Sequence, residues 1–485
     1  MIGELDADAV VGYFRGKSIL ITGSTGFLGK VLVEKILRVQ PDVKKLFLLI
    51  RAADIESAKH RVATEVTGRE IFQVLKQKHG DKFDDFIQEK VCPLAGDIVY
   101  KNLGLDNAKL TELSKEIDII VNGAATTNFY ERYDVTFDTN VMGAKHICEF
   151  TKRCNKLKML LHVSTAYVAG EQEGILPEKP FLLGETLREG AHLDIESELN
   201  LIKEARKEVK ANCSSERVEK RTMKELGLKR AREFGWPNTY VFTKAMGEML
   251  LGHLRGDLPT VIIRPSIEQL TSILNEPLPG WMEGIRTIDS FIIGSAKQAL
   301  SIFLVDLNLI MDVRYDGVAI AAHSEDQAAQ SIYHVTSSLR NPAPYAVLVD
   351  SGHRYFLHNP PRFEENGEPV RLSRMCFFQT LPRFRAYMAV KFRLPLEILR
   401  LRNIAMLGAF SRRYGDLSRK YRYVMHMAEL YAPYALFKGW AALMKANKQQ
   451  GKSRGYDFGF DPKSIDWDKY FYSVHIPGVI KYLCD

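Results

Sequence analysis

The chain of 485 residues is 46% hydrophobic and 26% charged, with 67 Lys/Arg against 59 Asp/Glu, a balance that supports a large buried core and excludes disordered and collagen-like classes. Its greasiest late stretch, Leu394 to Phe410, is broken by Glu397, Arg400, Arg402 and Asn403, so no run reaches the ~18 apolar residues of a spanning helix. Six scattered cysteines without metal-ligand or disulfide-scaffold spacing predict free thiols in a reducing compartment and no metal chemistry.

Along the chain, the first six residues, Met1 to Asp6, are acidic and lack the pattern of a signal or transit peptide, so neither is expected. Short apolar runs at Ser18–Thr22, Leu46–Ile50, Ile117–Val121, Met159–Val163 and Val261–Ile263 then alternate with amphipathic stretches over the first 265 residues. That rhythm predicts an α/β fold, a doubly wound parallel sheet of Rossmann type. A Lys/Glu-laden segment, about residues 171–236, reads as a mostly helical insertion. After Asp316 the pattern loosens, and a basic, aromatic-studded region begins near Arg371. The expected organisation is a dinucleotide-binding domain over 1–335 and a smaller, mainly helical domain over 336–485.

The charge is unevenly spread. Between Arg371 and Arg454 there are 18 Lys/Arg and three acids, Glu397, Asp416 and Glu429. Such a segment faces something anionic: a phosphate-bearing substrate, an acidic lipid surface or nucleic acid. No nucleic-acid recognition motif accompanies it. Lipid docking without crossing predicts insertion of its aromatics, Phe377, Phe378, Phe384, Tyr387, Phe392, Phe410 and Tyr414. The competing reading makes these aromatics the core of a small helical domain.

The turn after the first strand, Thr22-Gly23-Ser24-Thr25-Gly26-Phe27-Leu28-Gly29, has the glycines that let backbone N–H groups approach a pyrophosphate at a helix N-terminus. Arg51 ends the second strand, where an NAD site places an acid, so a 2′-phosphate and hence NADPH is predicted. Asp97 and Ile98 follow a short strand and can touch the adenine, and Ala124 and Ala125 let the backbone run under the cofactor. Tyr240 and Lys244 are four apart, on one helical face. The same spacing recurs at Tyr13/Lys17, Tyr387/Lys391 and Tyr434/Lys438. Only the Tyr240 pair falls between a strand followed by Ser164-Thr165-Ala166-Tyr167 and one ending Arg264-Pro265. There a lysine favours the phenolate of its neighbour, and Thr165 or Ser164 can hydrogen-bond a reacting carbonyl oxygen.

These residues resemble the extended short-chain dehydrogenase/reductase superfamily. Within it the chain resembles the plant alcohol-forming fatty acyl-CoA reductases, the family of the male-sterility proteins. The likeness rests on Glu276-Pro277-Leu278-Pro279-Gly280-Trp281-Met282-Glu283-Gly284-Ile285-Arg286-Thr287, and on Ile465-Asp466-Trp467, Tyr470-Phe471 and Val474-His475-Ile476-Pro477-Gly478. It implies that Thr165, Tyr240 and Lys244 form the catalytic set. It also implies that NADPH lies against Thr22, Gly23, Thr25, Gly26, Phe27, Leu28, Gly29, Arg51, Asp97, Ile98, Ala124, Ala125, Lys244 and Pro265. The implied activity is two-step reduction of a long-chain acyl-CoA to a primary alcohol for wax, cutin or suberin, at the cytoplasmic face of the endoplasmic reticulum or in the cytosol. Glu268-Gln269 and Val313-Arg314-Tyr315-Asp316 depart from the family pattern. The rival readings are a sugar-nucleotide or steroid dehydrogenase of the same superfamily and a catalytically silent cofactor-binding scaffold.

Overall fold

In the first strand, β1 (Ser18–Thr22), Ile19 and Ile21 pack into one apolar layer and Leu20 into another. The second, β2 (Lys45–Ile50), repeats this, with Leu46, Leu48 and Ile50 on one side and Phe47 and Leu49 on the other. Strands apolar on both faces need helices on both faces, which is the condition of a buried parallel sheet. The computed structural model describes residues 11–212, 215–266, 276–284, 287–296, 302–311, 330–337, 341–360, 375–441, 463 and 465–484. Glu268-Gln269, Val313-Arg314-Tyr315-Asp316, Ile285-Arg286 and both ends of the basic region lie outside the described residues.

The sheet is completed by β3 (Val91–Ala95), β4 (Ile119–Asn122), β5 (Met159–Val163), β6 (Thr260–Pro265) and β7 (Gln330–Val335), in the order β7-β6-β5-β4-β1-β2-β3. All six pairings are parallel. The order reverses between β1 and β4, which opens a crevice at the carboxyl ends of those two strands. Helix α1 (Phe27–Val39) covers one face through Val33, Ile36 and Leu37, and α2 (Gly143–Thr151) covers the other through Ile147 and Phe150.

The five expected strands are present, three of them with shifted edges: β2 begins one residue early, at Lys45. Ile117 closes the preceding helix, its N–H bonding Leu113 O at 3.0 Å, so β4 begins at Ile119. The strand expected at Val261–Ile263 runs over Thr260–Pro265. β7 is an addition: its sequence, Gln-Ser-Ile-Tyr-His-Val, is too polar to stand out as an apolar run, yet four of its residues are buried. The insertion holds two helices, α3 (Ile195–Ala211) and α4 (Glu216–Glu233), but its first part, 171–194, is largely non-helical. Pro177 and Pro180 break it, and a short strand, Gly174–Leu176, pairs in parallel with Gly439–Ala441 near the end of the basic region.

Helix α5 (Thr239–Leu254) follows, then α6 (Tyr345–His358), α7 (Leu381–Met388), α8 (Leu394–Ala405) and α9 (Ser411–Ala435). One core draws Met282, Ile292, Leu348 and Phe356 together with Trp467, Phe471 and Val479. Tyr434, near the end of α9, enters another with Tyr133, Tyr167 and Phe242. The C-terminal third is thus packed onto the sheet domain and brings α9 over the crevice.

Candidate active site

The turn 22–29 is built around two close approaches. Gly23 has φ +76°, and a Cβ there would lie 2.7 Å from Ala124 N. A Cβ on Gly29 would lie 2.3 Å from Gly23 O, so α1 can begin this close to the turn only with glycine there. Helix α1 has no acidic residue in its first turn and no side-chain cap at Gly26, which leaves its N-terminal N–H groups open to an anion. These features fit a dinucleotide pyrophosphate. A cavity of about 310 Å³ lies over the turn, lined by Thr22, Gly23, Thr25, Gly26, Phe27, Leu28, Arg51, Asp97, Ile98, Ala124 and Ala125 among others. Of the expected cofactor contacts, Gly29, Lys244 and Pro265 stand apart from it: Gly29 packs beneath the turn, and Lys244 and Pro265 belong to the far side of the crevice.

Arg61 also lines this cavity, which the sequence reading missed, since nothing in one sequence places a helix residue beside a strand end. Its guanidinium is engaged by Glu65 at 2.6 and 2.8 Å and donates to Arg51 O at 2.6 Å. Arg51 is exposed and has no carboxylate partner among the described residues, so its charge is available.

Pro237 and Asn238 start α5 sharply: Asn238 Oδ1 accepts from Val241 N at 3.1 Å. Tyr240 therefore sits in the first turn, and Lys244 lies one turn deeper, 1% exposed. Lys244 Nζ donates to Val163 O at 2.7 Å and faces His162 Nε2 at 3.2 Å. His162 Nδ1 faces Asn122 Nδ2 at 3.0 Å, Asn122 Oδ1 accepts from Thr22 Oγ1 at 2.9 Å, and Thr22 Oγ1 accepts from Ala124 N at 3.0 Å. A buried polar chain thus joins α5 to the glycine turn across β5, β4 and β1. Burial pushes the Lys244 ammonium down to about 8, partly opposed by the negative charge of Glu248. Burial, and then the Lys244 charge, hold His162 far below its ordinary range, so it is neutral. His162 and Asn122 are additions to the predicted set; their polarity in the strand runs was the only available signal.

Both hydroxyls at the end of β5 face the same space. Thr165 Oγ1 donates to Pro265 O and accepts from Tyr167 N, each at 3.4 Å, and Ser164 Oγ has no partner among the described residues. They line a second cavity of about 630 Å³ with Tyr240 and Pro265, and Leu28, Gly123, Ala125 and Thr127 are common to both cavities. Its walls are mostly apolar: Ile302, Leu304, Phe384, Met427, Ala428 and Ala432. Phe129 stacks on Tyr240 at 5.8 Å and on Tyr434 at 4.7 Å. The other tyrosine–lysine pairs divide from this one. Tyr387, on α7, is bonded by Lys391 at 2.6 Å and packs against Phe378, away from the cavity. Tyr434 does reach the cavity, but its hydroxyl accepts from Asn238, and Lys438 turns away to Glu173 at 3.2 Å. The geometry offers a proton donor, a hydroxyl and an apolar tunnel beside a dinucleotide cradle; among the described residues there is no metal-binding cluster.

Two family models, both described as male sterility protein, match residues 21–321 and 392–485. The chain is 47% identical to "Fatty acyl-CoA reductase 1" of Arabidopsis thaliana, covering 98% of each chain. It is 42% identical to "Alcohol-forming fatty acyl-CoA reductase" of Simmondsia chinensis, covering 98% of this chain and 99% of that one. In fold it is similar to the terminal R domain of the myxalamid PKS-NRPS pathway, with TM-score 0.53, 17% identity, and coverage of 98% and 95% of the two chains.

Proposed function

Since this chain belongs to the male sterility protein family, with fatty acyl-CoA reductases as full-length relatives, we propose that it reduces long-chain acyl-CoA to primary alcohol with NADPH. The observation that carries this reading is the apolar cavity that runs from Tyr240 and Thr165 to α9 and shares its floor with the dinucleotide cradle. A sugar nucleotide would bury hydroxyls against Leu304, Phe384, Met427 and Ala428 without partners, at a desolvation cost an acyl chain does not incur.

Gly23 and Gly26 would hold the pyrophosphate, Arg51 the 2′-phosphate, Asp97 and Ile98 the adenine side, and Lys244 and Pro265 the nicotinamide side. When bound there, the cofactor supplies hydride. Tyr240 gives its phenolic proton to the thioester oxygen as charge develops on it, and Thr165 donates a second hydrogen bond to that oxygen. Lys244 steadies the phenolate that remains. As the resulting thiohemiacetal collapses, its hydroxyl proton would return to the Tyr240 phenolate and CoA would leave as the thiolate; the aldehyde, held by the apolar walls, would then take a second hydride and a second Tyr240 proton after cofactor exchange. Part of the basic C-terminal region faces the CoA phosphates. The product serves wax, cutin or suberin synthesis, with the enzyme in the cytosol or at the cytoplasmic face of the endoplasmic reticulum.

The test is NADPH oxidation and product analysis with a panel of thioesters. Long-chain acyl-CoA should yield alcohol, and Tyr240→Phe should lower the rate by about two to four orders of magnitude while the fold is kept. Turnover of sugar nucleotides or steroids in place of acyl-CoA would overturn the proposal.

A further inference from the structure

Helices α8 and α9 form an antiparallel hairpin whose outer face is apolar and open. Val390, Leu394, Ile398, Leu401 and Ile404 recur at spacings of three and four, hence on one helical face, and are 53–67% exposed. At the tip Met406 is 56% and Leu407 98% exposed. Exposed hydrophobics scattered singly are ordinary, but six within one hairpin, with Val390 in the helical turn that runs into it, are a patch.

The tip is ordered by its own chemistry. Asn403 Oδ1 accepts from Phe410 N at 2.8 Å, and Ser411 Oγ donates to Gly408 O at 2.8 Å. This holds Leu407 at φ +49°, the left-handed region that a leucine disfavours. The most exposed large residue of the patch is therefore kept apolar where glycine or asparagine would be easier.

Around the patch the charge is of one sign. Residues 389–424 contain nine Lys/Arg and two acids, and the acids are taken up within the helices by Arg400 and Arg419. Arg393, Arg402, Arg412, Arg413 and Lys420 are exposed and have no carboxylate partner among the described residues. The expected inserting aromatics divide: Phe384 is buried, Phe378 and Tyr387 pack with it and Leu304 beneath α9, and Phe377 joins another core, whereas Phe392 is exposed beside the patch and Phe410 and Tyr414 are half-buried at the tip and on α9. The inward side of the hairpin thus packs on a small aromatic core, and its outward side is mainly aliphatic and basic, with Phe392 and Tyr423 also exposed.

We propose that this hairpin docks the enzyme on an anionic lipid bilayer, with Leu394, Leu401 and Leu407 in the acyl region and the arginines at the headgroups. No helix among the described residues is long and apolar enough to cross a membrane, so the contact is interfacial. A route for substrate follows, and this part rests on the acyl-CoA reading. Tyr423 and Val424 line the large cavity and are 65% and 42% exposed, which sets one of its openings on the same hairpin. Counting equal steps from the 406–410 turn, they lie about level with Leu394. An acyl chain can thus pass from the bilayer to Tyr240 without its tail crossing water.

The experiment is co-sedimentation of the full chain with vesicles of phosphatidylcholine alone or mixed with phosphatidylserine. The protein should pellet with the mixed vesicles and be largely released by high salt. Leu401→Asp with Leu407→Asp should cut the bound fraction at least about tenfold, while turnover of a short, water-soluble acyl-CoA stays unchanged. Leu407→Trp, at a site too exposed to affect folding, should give a blue-shifted emission on mixed vesicles. Equal binding by the double variant, no binding by the parent chain, or a parent dimer that the double variant dissolves would each overturn the proposal. Vesicle binding without acyl-CoA turnover would instead fault the assignment of activity and leave the docking surface standing.

Discussion

At the scale of single residues, the site depends on charges that burial has adjusted. Lys244 shares its helix with Tyr240 and Glu248 and meets Val163 O and His162 on β5, and Glu248 is itself bonded by Arg264 at 2.6 Å. With its ammonium lowered to about 8, the cation is present below that pH and lost above it. Activity should therefore fall as pH rises through about 8. His162→Leu removes the polar neighbour at 3.2 Å and deepens the desolvation of the ammonium, so the alkaline limb of kcat/KM should move to lower pH. A limb that stays in place would show that His162 does not tune the lysine. Arg51 and Arg61 make a second comparison. Both line the cofactor cavity, but Arg61 is already paired with Glu65. Arg51→Ala should raise the KM for NADPH strongly and leave NADH use almost unchanged, whereas Arg61→Ala should affect the two cofactors alike. Equal losses with both cofactors in Arg51→Ala would remove the 2′-phosphate assignment.

At the scale of elements, the seating of α1 on the glycine turn is the tolerance that matters. A methyl at Gly29 would meet Gly23 O at 2.3 Å and Ser24 Cα at 2.5 Å, both backbone atoms that cannot turn aside. Gly29→Ala should cost about 1–3 kcal/mol of stability and weaken NADPH binding, because the helix N-terminus is displaced from the pyrophosphate. Gly12→Ala, where a Cβ meets nothing within 4 Å, is the control and should be close to neutral. Thermal unfolding with and without NADPH reads both effects; a Gly29→Ala chain as stable as the control would show that the turn can relax.

At the scale of the whole molecule, the C-terminal third closes the site that the N-terminal sheet opens. Met427, Ala428, Ala432 and Ala435 of α9 form much of the cavity wall, and three alanines there leave room that larger side chains would take. Ala428→Phe should shift products toward shorter alcohols while leaving short-chain turnover nearly intact, as gas chromatography of products would report. An unchanged length profile would mean that the acyl chain leaves the cavity before reaching that turn of the helix.

What the sequence by itself determined was whatever depends on local order. The apolar runs became the strands of a parallel sheet because a chain apolar on both strand faces must be covered twice. The glycine turn was legible because only glycine tolerates φ +76° at Gly23 and the contact at Gly29. Tyr240 and Lys244 could be chosen among four pairs because chain order alone sets that pair between β5 and β6. Tertiary structure decided what depends on distant residues meeting. It brought Arg61 beside Arg51, joined Thr22, Asn122 and His162 into one chain behind Lys244, and carried Tyr434 to the cavity while its Lys438 turned to Glu173. It also sorted the basic region into an aromatic inner face and a mainly aliphatic outer one, because helical periodicity names the residues of a face and only packing against α7 and the sheet decides which face is turned outward.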